Sequence, residues 1–315
     1  MYYNKHQDLF FGETIDYTKK EAYDHNYRSK TNVHMGQRKL LLSEIQLLTK
    51  YYQLHEIHPT VLYVGAAPGT HLLTLSDLFP NVKFILYDAN KFDFNLRKKP
   101  NIFKLYNEYF TDEKCDKIKE NQLIFISDIR LSAKNQAAFD NGVMRDLELQ
   151  KNWVQTLKPV MSLLKFRMSY QMKHGDKLSY MKGDILYGIW PKPQSGETRL
   201  LVYKNDIQNI IDYDYQAYEE SMFYHNKYRR AFCKNDIPDK FKEYIIHQNI
   251  YCSCYDCISE LNILDEYAKL FDLNLRNVIT IFGTRMNWNK TLAFQKNRDP
   301  VTLPLTKLEL PHKNL

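Results

Sequence analysis

The sequence predicts an α/β fold, a central and mostly parallel sheet with helices on both faces. Two observations carry that expectation. Short apolar, β-branched runs alternate with segments of three- and four-residue apolar period, and the first such run passes straight into a glycine turn and a leucine-rich helix. A chain of 315 residues has room for one large domain of this type or two small ones, and its 10 glycines and 11 prolines are too few for a linker-rich or fibrous protein.

Residues 1–35 are polar and aromatic without a period, and read as an N-terminal arm that gains order by packing on something else. Beyond Gly36, the residues Leu40, Leu41, Ile45, Leu48 and Tyr52 mark one face of a helix ending near Gln53, with Gln37 and Lys39 in its first turn. Thr60 to Val64 is a strand, Gly65 to His71 a turn, and Leu72 to Leu78 a helix. Further strands run from Val82 to Tyr87, stopping at Asp88, and from Leu123 to Ile126, leading into Ser127 and Asp128. A helix from Arg145 to Leu157 stops before Pro159, and Val160 to Leu164 delivers Lys165 at a strand end. Tyr170 to Ser195 reads as loop and Thr198 to Tyr203 as a strand opened by Glu197. The stretch to Tyr251 reads as helical and aromatic, with a last amphipathic helix at Ile263 to Phe271. A single domain over 36–290 and a polar C-terminal tail over 291–315, holding Pro300, Pro304 and Pro311, complete the chain.

Gly65 and Gly69 let the chain turn sharply at the first strand end and let a ligand approach the backbone, at the place where open α/β sheets bind ligands. Pro68 offers no N–H at the helix start, so the turn suits a cofactor without phosphates better than a pyrophosphate. Asp88, about 20 residues after Gly65, stands where a carboxylate accepts the hydrogen bonds of a ribose diol. The plainer alternative is a tight turn and a loop cap without a ligand.

Lys39, Asp128, Lys165 and Glu197 each fall at the ligand-facing end of a predicted element. Taken singly, such residues are usually solvated and inert. Converging on one crevice, two ammonium groups and two carboxylates would tune a lysine to act as a base.

These residues sit in stretches that resemble a known family. Gly36-Gln37-Arg38-Lys39-Leu40-Leu41-Leu42, Tyr63-Val64-Gly65-Ala66-Ala67-Pro68-Gly69-Thr70-His71, Ile126-Ser127-Asp128-Ile129-Arg130, Leu164-Lys165-Phe166-Arg167 and Glu197-Thr198-Arg199-Leu200-Leu201 match in order and spacing the poxvirus-type cap-specific mRNA (nucleoside-2′-O)-methyltransferases, which double as the small regulatory subunit of the viral poly(A) polymerase. The similarity spans roughly residues 10–250 and implies a Rossmann-like S-adenosylmethionine-dependent methyltransferase fold. It implies that Lys39, Asp128, Lys165 and Glu197 are catalytic, with Lys165 the base that takes the proton of a ribose 2′-hydroxyl on the first transcribed nucleotide of capped mRNA. It implies cofactor contacts from Gln37, Tyr63, Gly65, Gly69 and Asp88, and looser ones near Asn90, Tyr109 and Phe110.

The resemblance further implies a methylated guanine held between Tyr17 and Tyr170, its cationic ring facing electron-rich ones, with Glu219 reading its edge. The second acid of the family pattern is replaced here by Met172, which removes an acceptor and with it part of the discrimination between methylated and unmethylated guanine. Arg167, Lys173, Lys177 and Arg199, with Lys182 and Lys192, are candidate contacts to the RNA phosphates. The family's setting implies action in the host cytoplasm, in viral factories, with the virion as a second location, and the poly(A) polymerase catalytic subunit as a partner. A non-catalytic RNA-binding polymerase subunit and a 2′-O-methyltransferase of uncapped RNA are the alternatives.

Composition agrees with an RNA partner without demanding it. A net charge of +7 gives a mild bias toward polyanions, and 24 tyrosines supply stacking surfaces, though most such rings fill cores. No uncharged apolar run reaches the ~18–20 residues that cross a bilayer, and Met1 to Gly12 lacks a signal peptide's apolar stretch, so the chain reads as soluble and intracellular with no membrane partner. Cys252, Cys254 and Cys257, with Cys233 upstream, offer four thiols, but their spacing is not the paired Cys-x-x-Cys pattern, and the sequence predicts no metal.

Overall fold

A computed structural model describes residues 13–28, 34–130, 136–230, 236–248 and 250–286. The expectations placed on Cys233, on residues 1–12 and on the tail 291–315 fall outside the described residues.

The principal sheet has seven strands: β1 (Thr60–Val64), β2 (Lys83–Tyr87), β3 (Ile102–Tyr106), β4 (Leu123–Ser127), β5 (Met161–Phe166), β7 (Asp184–Tyr187) and β8 (Thr198–Tyr203). Their spatial order is β3-β2-β1-β4-β5-β8-β7. β3 through β5 run parallel, while β8 and β7 join antiparallel to β5 and to each other. A second sheet pairs β6 (Lys177–Met181) with β9 (Ile210–Asp214). The helices are α1 (Gly36–Leu54), α2 (Leu72–Leu78), α3 (Asp112–Cys115), α4 (Gln136–Leu157), α5 (Tyr215–Tyr224), α6 (Tyr255–Leu270) and α7 (Leu275–Arg285). The predicted α/β class holds.

Four strands escape the sequence reading. β6 and β7 lie in the stretch expected to be loop, β9 lies in the stretch expected to be helical, and β3 is absent from that reading. Each has a physical reason. β6 is only half buried and alternates Lys177, Leu178, Ser179 and Tyr180 against solvent, and β3 is a sheet edge whose Phe103 and Lys104 are exposed. Neither shows the continuous apolar run of β1 or β4, both buried on every residue. The final helices also extend past expectation, with α6 starting at Tyr255 and α7 following it.

Strand alternation divides the interior into two cores. Val61, Tyr63, Ile124, Ile126, Leu163 and Leu201 face one cluster, where they meet Leu41, Leu42, Ile45 and Leu48 of α1 and Leu261, Leu264 and Ala268 of α6. Leu62, Val64, Phe125, Leu164, Phe166, Leu200 and Val202 face the other, against Leu147 and Val154 of α4 and Tyr218 of α5. Burying each large aliphatic side chain contributes about 1.5–3 kcal/mol.

The first turn of α1 is pinned from behind. Arg38 is buried and donates through Nε to Glu260 of α6 at 2.7 Å, with a second bond from Nη2 to the other carboxylate oxygen. Glu260 also accepts from Trp190 Nε1 at 2.8 Å and from the Tyr251 hydroxyl at 2.8 Å. The arm is tied on as well: Ile15 N donates to Ile185 O, Tyr187 N donates to Glu13 O, and Thr14 bridges Leu186, so the arm lies along the outer edge of β7.

Glu260→Ala leaves a buried guanidinium without its carboxylate, together with an indole N–H and a hydroxyl. Urea unfolding should show a loss of about 3–5 kcal/mol, and a loss below about 1 kcal/mol would mean that the pair is not what fixes α1.

Candidate functional site

The alternation that builds the cores also builds the site. In β4, Ile124 and Ile126 face the α1 side, so Asp128 two residues on does too. In β5, Leu163 faces that side and Lys165 follows it, flanked by Leu164 and Phe166 pointing away. In β8, Leu201 shares the face, and Arg199 and Glu197 keep step with it. Lys165 and Arg199 are directly paired in the β5–β8 register. Lys39 comes from the first turn of α1, which covers the same face.

The structure therefore brings Lys39, Asp128, Lys165 and Glu197 together, and adds Arg199. Lys39 Nζ lies 2.5 Å from Glu197 Oε1. Lys165 Nζ lies 3.2 Å from Asp128 Oδ1 and 3.6 Å from Glu197 Oε2. Arg199 Nη2 lies 2.7 Å from Asp128 Oδ1 and 3.7 Å from Glu197 Oε1. Three cations against two carboxylates leave one positive charge in excess. Of the three cations, Lys165 makes the loosest ion-pair contacts.

Burial and mutual charge set the ionisation of this group. Burial works against a charged Asp128, but Arg199 and Lys165 overcome it and hold its carboxyl below the usual range. Burial likewise opposes a charged Glu197, and Lys39, Lys165 and Arg199 together hold it far below that range. Burial and the neighbouring Arg199 push the Lys39 amine below its ordinary value. Arg199 stays charged, because Asp128 and Glu197 outweigh its burial.

Next to the cluster is the crevice between β1 and β4, where the strand order reverses. Gly65 has φ +82°, and a Cβ there would stand 2.8 Å from the Asp128 backbone, so glycine is what lets the turn close on the end of β4. Gly65 N and Ala66 N donate to Tyr87 O, and Ala67 N donates to Asp88 Oδ2 at 2.9 Å. Pro68 has no N–H to add. These amides are thus spent inside the protein, and the turn makes no nest for a pyrophosphate. Gln37 links the turn to α1: its Oε1 accepts from Thr70 Oγ1 at 2.7 Å and sits 2.8 Å from His71 Nδ1. His71 Nε2 lies 2.9 Å from buried Glu44.

Asp88 differs from the expectation that it takes both hydroxyls of a ribose. Its carboxylate accepts from Ala67 N, Asn90 N and Asn90 Nδ2, which uses three of about four acceptor positions. One hydroxyl fits at once, and a second requires the Asn90 amide to turn away. Tyr109 is exposed at the crevice side, whereas Phe110 is 7% exposed and packs edge-on against Tyr87 and Trp153. Tyr63 is buried within β1. Tyr63 and Phe110 thus pack in the two cores on opposite faces of the sheet.

A cavity of about 490 Å³ opens beyond the β5 and β8 ends. Arg167 and Gly196 line it, two residues from Lys165 and one from Glu197. Tyr170, Met172, His174, Tyr215, Glu219 and Tyr23 line it too. Tyr17, expected there from sequence, is not among the lining residues, whereas Tyr23 of the same arm is, its ring centroid 5.1 Å from that of Phe223. Glu219 accepts from the Tyr215 hydroxyl at 2.8 Å and lies 3.2 Å from His174 Nε2, beside the position held by Met172.

Two of the basic residues expected on the RNA path have other partners. Arg199 is 5% exposed and belongs to the ion cluster. Arg167 bonds buried Asp140 at 2.7 Å, and its guanidinium lies 3.9 Å from the Tyr170 ring centroid, stiffening that ring by a cation–π contact. Lys173 and Lys177 are exposed beside the cavity mouth, as is Lys192, while Lys182 pairs with Asp206. Among the described residues no helix is long and apolar enough to cross a membrane.

Comparison with known proteins adds the following. A sequence profile described as poly(A) polymerase regulatory subunit matches residues 3–286. The chain is 30% identical over 232 residues to a cap-specific mRNA (nucleoside-2′-O-)-methyltransferase of Myxoma virus (strain Lausanne), covering 70% of this chain and 68% of that protein. It is likewise 30% identical over 235 residues to the protein of the same name in Fowlpox virus (strain NVSL), covering 69% and 75%.

Acid should loosen this site in a defined direction. Asp128 and Glu197 titrate lower in the folded chain than at their ordinary values near 3.9 and 4.3. Their contribution is therefore complete above about pH 5 and is lost as pH falls through the folded-state values. Urea midpoints between pH 7 and pH 3 should fall, with a shallower fall in Glu197→Gln; equal slopes would show that the cluster is not linked to folding.

Proposed function

The chain belongs to the poly(A) polymerase regulatory subunit family, and on that premise we propose that it methylates the ribose 2′-hydroxyl of the first transcribed nucleotide of capped mRNA, with S-adenosylmethionine as donor. The observation that carries this reading is the convergence of Lys39, Asp128, Lys165 and Glu197 on one face of the sheet, at the end of the β1–β4 crevice.

The crevice fits a phosphate-free nucleoside cofactor: the amides of Gly65, Ala66 and Ala67 are internally bonded, Pro68 has none, and Asp88 keeps acceptor capacity for a ribose hydroxyl. Gln37, Gly65, Gly69, Asp88 and Asn90 are the residues that would hold it, with Tyr63, Tyr109 and Phe110 shaping its surroundings. Once bound, the cofactor supplies an activated methyl on a sulfonium.

The chain's own contribution is alignment and proton management. Lys165, having first released its ammonium proton to solvent, accepts the proton of the 2′-hydroxyl as that oxygen gains its methyl, and leaves the step as an ammonium between Asp128 and Glu197. Lys39 and Arg199 saturate the tighter contacts of the two carboxylates, which fixes those carboxylates and so fixes the lysine between them. The cavity with Tyr23, Tyr170 and Glu219 lies on the same side as Lys165 and gives a methylated guanine a stacked, acid-edged seat. That cavity favours capped over uncapped RNA as substrate. Exposed Lys173 and Lys177 are placed to meet the phosphates that follow. The family description supports a second role, partnership with a poly(A) polymerase catalytic subunit.

Lys165→Ala should lower methyl transfer to an m7G-capped oligonucleotide by at least about 10²-fold, while calorimetry shows cofactor affinity within a few-fold of the parent. Undiminished transfer excludes Lys165 as the base. Tyr23→Ala should raise KM for capped RNA and leave transfer to an uncapped oligonucleotide unchanged, which separates the cap seat from the reaction centre.

A further inference from the structure

Behind α1, on the side away from the crevice, three sulfurs converge. Cys252, Cys254 and Cys257 place their Sγ atoms within 4.8 Å of one another, and Cys252 Sγ stands 3.5 Å from Cys257 Sγ. The sequence reading gave this Cys-x-Cys-x-x-Cys segment no metal role, because one residue separates the first two cysteines. The fold overrides the spacing: the chain turns at residues 252–254 and enters α6, so Cys254 caps the helix and Cys257 projects back from its first turn.

Three further features suit a thiophilic cation. The amide of Cys257 donates to Cys254 Sγ at 3.4 Å, which fixes that sulfur at the mouth of α6 facing the other two. The group sits at the N-terminus of the 16-residue helix α6, whose dipole favours negative charge. Thiolates bound at about 2.3 Å around a tetrahedral zinc lie about 3.8 Å apart, so the observed separations need only sub-ångström adjustment. The surroundings also divide the cluster: Cys257 is buried under α6, while Cys252 and Cys254 are half-buried and leave an approach for the ion.

We propose that Cys252, Cys254 and Cys257 form a structural binding site for a divalent thiophilic cation of the zinc type, with the fourth coordination position taken by solvent. The site stands apart from the ion cluster and does not depend on the methyltransferase reading. Its location gives it a purpose. Tyr251, next to Cys252, and Glu260, on the following turn of α6 from Cys257, both belong to the network holding Arg38, and Arg38 precedes Lys39. A metal clip at the start of α6 would therefore stiffen the wall on which Lys39 is mounted.

The full chain, purified under reducing conditions, is equilibrated with Zn2+, gel-filtered into metal-free buffer and assayed for metal by mass spectrometry. Close to one zinc per chain is expected, retained in Cys115→Ser and lost in Cys252→Ser/Cys254→Ser. No retained zinc, or zinc that survives the double substitution, overturns the proposal. If the double variant does not fold, the parent decides alone: added Co2+ should produce the sulfur-to-metal charge-transfer absorption of thiolate coordination, and Zn2+ should slow iodoacetamide labelling of Cys252 and Cys254 until a chelator is added. Absence of that absorption, or unslowed labelling, overturns it equally.

Discussion

Everything at the candidate site depends on five charges held in one partly dry space, arranged so that each carboxylate is shared between cations. Separately, each of these groups would be costly to remove from water. Together, Asp128 and Glu197 serve as a common counter-charge for Lys39, Lys165 and Arg199, and the sheet fixes four of the five side chains at adjacent strand ends. The strict period of two along β4, β5 and β8 sends Asp128, Lys165 and Arg199 to the α1 face, and a shift by one residue in any of those strands would bury the charge in the opposite core. The hydrophobic alternation that specifies the fold is thus the same instruction that assembles the site.

That dependence explains what could be read from the sequence. Lys39, Asp128, Lys165 and Glu197 were visible because each terminates a strongly patterned element: α1, β4, β5 and β8 have apolar periods that survive any context. Gly65 and Gly69 were visible for the same reason, following a strand buried on every residue. Arg199 reads as a phosphate contact because it lies inside β8, where sequence shows a cation among apolar residues but not Asp128, its ion-pair partner at the end of β4 on the far side of β5. The partner of Arg167 is hidden likewise, since Asp140 is 27 residues away on a helix whose first turns were not foreseen.

The aromatic residues resisted for a different reason. Rings in a segment without period carry no directional information, so Tyr17 and Tyr23 are indistinguishable until the arm is seen to bond through Ile15 to β7 and through Glu21 to Glu220. Phe110 posed the converse problem: it follows an exposed Tyr109, yet its neighbours Tyr87 and Trp153 come from β2 and α4 and draw it into the second core. Cysteine spacing is silent on similar grounds, because the distance between sulfurs is set by the turn into α6 and not by the count of intervening residues.

The arm's bonding along β7 has one more consequence. By occupying the outermost backbone groups of that strand, residues 13–15 blunt a rim that would otherwise invite strand-to-strand association between molecules, and the same short segment carries Tyr23 to the cavity wall. The blunting of the sheet's rim and the shape of the cavity wall are consequently set by a single peptide, and lifting that peptide away would open both in one event.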